Sequence, residues 1–213
     1  GFSENVREVI TRFKFREELG RLVEHKRLHA LIEKFCDERI NLAPTPVRDE
    51  QGRVSLPGLD NHTMGTIFEE LLRRFNEDYN QGAGEQFTPR DIVEMMAELV
   101  FRPIKDRIGN GTYLLYDDAC GTGGMLTVGE AKLRDLARKE GKKTEIHLYG
   151  QELNPETYAI CKADLLLKGE GEEARNIAFG STLSADAHGR NGLKFDFMMA
   201  NPPFGTTWKI DLA

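Results

Sequence analysis

This 213-residue sequence predicts an α/β fold with a mainly parallel sheet, preceded by an all-helical segment. Three observations carry that prediction. Up to about residue 80 the apolar positions recur at the three- and four-residue spacing of amphipathic helices. From Tyr113 onward, short apolar runs alternate with helical stretches, as in a sheet built from strand–helix–strand units. Finally, a glycine-rich junction joins the first such run to its helix, as where an open sheet receives a ligand at the carboxyl ends of its strands.

Taken in order, Val6, Val9, Ile10 and Phe13, then Leu19, Leu22 and Val23, then Leu28, Leu31, Ile32 and Phe35 predict two or three amphipathic helices. The stretch "NLAPTPVRDEQGRVSLPGLDN" breaks the pattern with prolines and glycines and reads as a long loop. Helical spacing resumes through Ile67, Leu71 and Phe75, so residues 1–80 are expected to form a helical N-terminal domain. Residues 81–213 form the second unit. Thr88, Pro89 and Asp91 have the order of a helix cap, a first-turn proline and a capping box, so a helix is expected from about Pro89 to Phe101. "TYLLYDD" and "TEIHLYGQE" read as strands, each followed by a helix, the second helix closed by Gly169. "RNIAFGSTL" and "KFDFMMANPP" supply two more strands.

At 39% hydrophobic and 30% charged residues the composition is globular, and no run of about 18 apolar residues offers a membrane span. A soluble, cytoplasmic protein is expected. Three widely spaced cysteines argue against a disulfide framework or a zinc ribbon. His25 and His29 lack further ligands nearby, so no metal site is expected. The net charge of −6 is spread over both halves, so a partner or a local patch must supply positive charge if the chain acts on nucleic acid.

The chemistry concentrates in "DDACGTGGM", residues 117–125. Gly121, Gly123 and Gly124 allow close backbone approach at a helix N-terminus. The phosphate-loop pattern is absent, and the dinucleotide fingerprint fails at Leu126. An acid ahead of the glycines would repel a pyrophosphate and suit a cationic ligand. Glu152, ending the second strand, stands where a carboxylate can accept both hydroxyls of a ribose. S-adenosylmethionine fits these features. A nicotinamide cofactor would need the missing fingerprint.

"DDACGTGGM", "YGQELNPETYAICKADLLLKG" and "ANPPF", in this order and spacing, resemble the N6-adenine DNA methyltransferases, most of all the modification subunit of type I restriction-modification systems. "MGTIFEELLRRFNEDYNQGAGEQFTPRDIVEMM" resembles the segment that leads into that subunit's catalytic domain. The resemblance implies a Rossmann-like S-adenosylmethionine-dependent fold of seven strands, of which only four are visible, so a truncated catalytic domain within a longer subunit is expected. It also implies cofactor contacts from Asp117, Ala119, Gly121, Thr122, Gly123, Gly124 and Met125, with Glu152 on the ribose. Glu85, Gln86, Phe87, Thr88, Pro89 and Arg90 would close over the methionine end. Ser181 stands where an acid often meets the cofactor's adenine. Asp118 and Asp164 replace a frequent proline and a frequent asparagine.

Asn201, Pro202, Pro203 and Phe204 carry the catalytic resemblance. Adenine N6 is a weak nucleophile, because its lone pair is delocalised into the ring. An Asn side-chain oxygen and a backbone carbonyl that accept from its two N–H groups would favour a pyramidal nitrogen, and Phe204 would stack on the extruded base. Implied partners are double-stranded DNA, a specificity subunit with target-recognition domains and a restriction subunit, with no membrane. The alternative is a non-catalytic assembly subunit that binds S-adenosylmethionine or positions DNA.

Overall fold

The computed structural model describes residues 2–79 and 88–204. Four strands form one sheet in which every pair is parallel, in the order β5-β4-β3-β6: β3 (Gly111–Asp117), β4 (Thr144–Glu152), β5 (Ile177–Phe179) and β6 (Phe197–Met198). The carboxyl ends of all four therefore share one edge. The chain steps outward from β3 to β4 to β5, then returns to place β6 on the other side of β3. This reversal opens a crevice between β3 and β6 at the carboxyl edge.

Apolar periodicity explains the layers. Leu115, Ile146, Leu148 and Ile177 turn one face of the sheet toward α5 (Arg90–Phe101), α6 (Gly124–Lys139) and α7 (Pro155–Leu167). Phe101, Leu126, Leu133 and Leu165 complete that core, each 1% exposed or less. Burying each such side chain stabilises the fold by roughly 1.5–3 kcal/mol. Phe101 meets Phe197 edge-on with ring centroids 5.0 Å apart, which locks α5 against the strand that carries the Asn-Pro-Pro segment. Gly169, at φ +84°, ends α7 in a paired turn: its N–H bonds to the Leu166 carbonyl and that of Glu170 to Leu165.

The N-terminal region is helical as expected, with α1 (Glu4–Arg12), α2 (Phe15–Glu24), α3 (Leu28–Phe35) and α4 (Asn61–Tyr79), but it is not all helix. The stretch read as a long loop contains an antiparallel hairpin, β1 (Val47–Arg48) with β2 (Val54–Leu56). Asp49 makes its turn, its side chain accepting from the N–H groups of Gln51 and Arg53. α1 docks on α7 through Glu8, which accepts from Tyr158 Oη (2.9 Å) and Lys162 Nζ (2.8 Å). α4 docks through Lys168 Nζ, 2.6 Å from both Glu69 and Asp164. Among the described residues no helix is long and apolar enough to cross a membrane.

Candidate active site

Three of the expected site residues are placed by strand ends. Asp117 is the last residue of β3, and Glu152 the last of β4. After β6, Met199 N–H bonds to the Tyr116 carbonyl, which extends the pairing and leaves Asn201 at the crevice beside the glycine loop. The loop is shaped by Gly121 and Gly123, with φ of +55° and +83°. Gly123 can be nothing larger: a Cβ there would lie 2.7 Å from Cys161 Sγ in α7. At Gly124, the first residue of α6, an added Cβ would meet nothing within 4 Å, so there is open space beside the start of the helix.

The two carboxylates behave differently. Asp117 is 1% exposed, and its Oδ1 accepts from Ala119 N–H at 3.0 Å. Burial pushes its carboxyl up to about 7; the Ala119 bond opposes that rise, and the charges of Asp118 and Glu152 add to it. Glu152 is half-buried and braces the loop, Oε2 accepting from Gly121 N–H (2.8 Å) and Oε1 from Asn154 N–H (2.6 Å). Each of its oxygens keeps acceptor capacity for a further donor. Cys120 is buried, and a hydrogen bond with Cys161, together with that burial, pushes its thiol well above the usual range.

On the facing side Asn201 is half-buried, Pro202 and Pro203 are exposed, and Phe204 is 81% exposed. The Asn201 amide is oriented by Thr88, whose Oγ1 accepts from its Nδ2 at 3.1 Å. Among the described residues the expected capping box is not formed: Pro89 precedes α5 and makes no side-chain cap, Asp91 accepts from its neighbour Ile92, and the Thr88 hydroxyl accepts from Asn201.

Other expected site residues are less central. Met125 lies in the apolar core at 5% exposure, and Arg90 turns toward Glu94 and Glu69. Ala119 and Thr122 are half-buried in the loop. Ser181 opens α8 (Thr182–Ala185), next to Gly180, whose N–H bonds to the Glu152 carbonyl. Glu85, Gln86 and Phe87 lie outside the described residues. His25 bonds the Arg21 carbonyl, and His29 faces Glu33 at 3.4 Å.

Sequence reasoning missed Gln151. At 1% exposure its amide donates to the carbonyls of Gly180 and Ala185 and accepts from Ala187 N–H, tying the segment after β5 to the strand that carries Glu152. A buried amide inside an apolar strand, one residue before the acid, was the available signal.

Comparison with known proteins bears on this geometry. Residues 59–212 match the family model described as N-6 DNA Methylase. The chain is similar to the type I restriction enzyme MpnII methylase subunit of Mycoplasma pneumoniae, with 25% identity over 226 residues, covering 97% of this chain and 39% of that protein. It is 30% identical over 155 residues to the type I restriction enzyme HindI methylase subunit of Haemophilus influenzae, covering 70% of this chain and 31% of that protein. The crystal structure of a type I restriction-modification methyltransferase subunit from Streptococcus thermophilus has a TM-score of 0.53 and 26% identity, covering 76% of this chain and 31% of that one. The chain thus spans less than two fifths of the length of these relatives.

Proposed function

Because the chain belongs to the N-6 DNA methylase family, we propose that it transfers a methyl group from S-adenosylmethionine to the N6 amino group of a flipped-out adenine in DNA, as part of a type I modification subunit. The observation that carries this reading is Asn201: a half-buried amide at the crevice beside the Asp117 loop, its Nδ2 already committed to Thr88. Its Oδ1 is left to accept from an amino group.

The residues present fit the cofactor. Asp117 is a buried acid that a nearby cation would hold ionised, Glu152 keeps acceptor capacity for ribose hydroxyls, and the open space at Gly124 leaves room beside the start of α6. When bound, S-adenosylmethionine supplies a methyl group on an electrophilic sulfonium. Asp117, Ala119, Gly121, Thr122, Gly123 and Gly124 would hold its methionine end, helped by residues 85–90, and Ser181 would approach its adenine.

The chain's own work falls on the acceptor side. Asn201 Oδ1 and the Pro202 carbonyl accept from the two N6–H groups, which draws the lone pair out of conjugation and aims it at the methyl. The prolines fix φ, so these acceptors need no rearrangement during the reaction. Phe204 offers an exposed ring to replace the stacking the base loses. Base sequence would be read by a specificity subunit, with a restriction subunit as the further partner, in the cytoplasm. Residues 1–80 would form a helical unit docked on the catalytic one, through Glu8 and Glu69.

Asn201→Ala is expected to lower the methyl-transfer rate about 10²–10³-fold while S-adenosylhomocysteine still binds. Sequencing host DNA for N6-methyladenine, with the wild-type gene and with the variant, provides the check. Unchanged methylation in the variant would sink the catalytic reading and favour the assembly subunit.

A further inference from the structure

Thr88 and Asn201 stand 113 positions apart and share a hydrogen bond of 3.1 Å. Each is followed by a proline, Pro89 and Pro202. A proline removes the α region from the residue before it, so both bonded residues have a restricted backbone. Pro89 itself sits at φ −54°, ψ 138°. Both partners are half-buried, which limits competition from water. Moreover, the residue that precedes α5 is Pro89, and among the described residues the Thr88 hydroxyl is bonded to Asn201 and not to the first turn of that helix. The bond therefore joins two stiffened segments and holds one end of the Asn201 amide.

From this we propose that Thr88 is a positioning residue for methyl transfer, acting through Asn201. The inference rests on the catalytic reading of Asn201. By accepting from Nδ2, the hydroxyl keeps the amide oriented with Oδ1 outward, where it can accept from the target N–H. Without the hydroxyl the amide rotates, and for part of the time it presents its own N–H groups to an amino donor. A donor facing a donor cannot orient the nitrogen.

The test is single-turnover methyl transfer by the whole protein in its DNA-modifying assembly, together with S-adenosylhomocysteine affinity by titration calorimetry. Thr88→Val, which removes the hydroxyl and keeps the shape, is expected to slow transfer about tenfold at saturating cofactor, where any loss of cofactor affinity from the 85–90 segment no longer affects the rate. Thr88→Ser is expected to restore most of the rate, and Thr88→Ala gives the same comparison should the extra methyl of valine disturb the loop. In an Asn201→Ala background, Thr88→Val should add no further loss, since the group it positions is gone. A wild-type rate in both Thr88→Val and Thr88→Ala while Asn201→Ala is impaired would overturn the role of Thr88 and leave the catalytic reading standing. So would an equal loss in both backgrounds, or a change in S-adenosylhomocysteine affinity with no change in rate. A wild-type rate in Asn201→Ala would instead sink the catalytic reading itself.

Discussion

Asp117 gives up water almost completely and receives one backbone donor in return, Ala119 N–H. With its carboxyl pushed up to about 7, the native state holds a proton that the unfolded chain has already released, so this residue's contribution to stability falls as pH rises from about 4 through 7. A cation bound beside it reverses the balance, because it favours the ionised form. S-adenosylmethionine affinity is therefore expected to fall by up to about tenfold per pH unit below 7 and to level off above it, with proton release on binding. Calorimetry in buffers of different ionisation enthalpy measures both. Glu130 and Asp164 also titrate near this range, at about 7 and about 6, so Asp117→Asn is the needed control: it should bind weakly and lose the pH dependence. A flat affinity in the wild type would remove Asp117 from the site. The sequence makes this acid legible because it closes an apolar strand ahead of three glycines. The Thr88–Asn201 bond leaves no such trace, since a contact across 113 positions imposes no local period.

Between elements, the joint from α1 to α7 rests on a charge that has little water. Lys162 is 4% exposed, and its ammonium bonds Glu8 and Tyr158. Burial by itself would raise the Glu8 carboxyl, but the bonds from Lys162 and Tyr158 outweigh it and hold Glu8 below the usual range. The stabilisation from Glu8 is thus present above the ordinary carboxylate range and lost as pH falls through the lowered value. Glu8→Ala leaves Lys162 buried without its partner and is expected to cost about 3 kcal/mol. Replacing both, as Glu8→Gln with Lys162→Met, is expected to cost less than Glu8→Ala, because no bare charge remains. Urea unfolding compares them, and a Glu8→Ala midpoint equal to wild type would show that the joint contributes nothing. The helices themselves were readable from their apolar spacing. The β1–β2 hairpin was not, because strands of two and three residues are too short to display alternation, and Asp49 and Gly52 look the same in a loop and in a hairpin turn.

Over the whole molecule, 35 acidic residues outnumber 29 basic ones. A chain of this sign gains little from counterion release, so at 0.15 M salt it is expected to shift no DNA duplex in a gel below about 10 µM when it is alone. Retention of DNA at nanomolar concentrations by the chain alone would contradict the division of labour proposed here. The parallel sheet was legible because strands and helices alternate, whereas the docking of α1 and α4 on α7 depends on ion pairs between distant segments that no periodicity announces. The strand order also has a temporal meaning. Everything from β3 to β5 is joined by successive crossovers, while β6 reaches β3 by a return marked by the Leu114–Asp196 bond, 82 positions apart. Long loops close at greater entropic cost than short ones, and synthesis delivers residue 201 after the whole glycine loop. During synthesis the glycine loop and the acids that end β3 and β4 are thus made before β6 brings Asn201 to the sheet edge beside them.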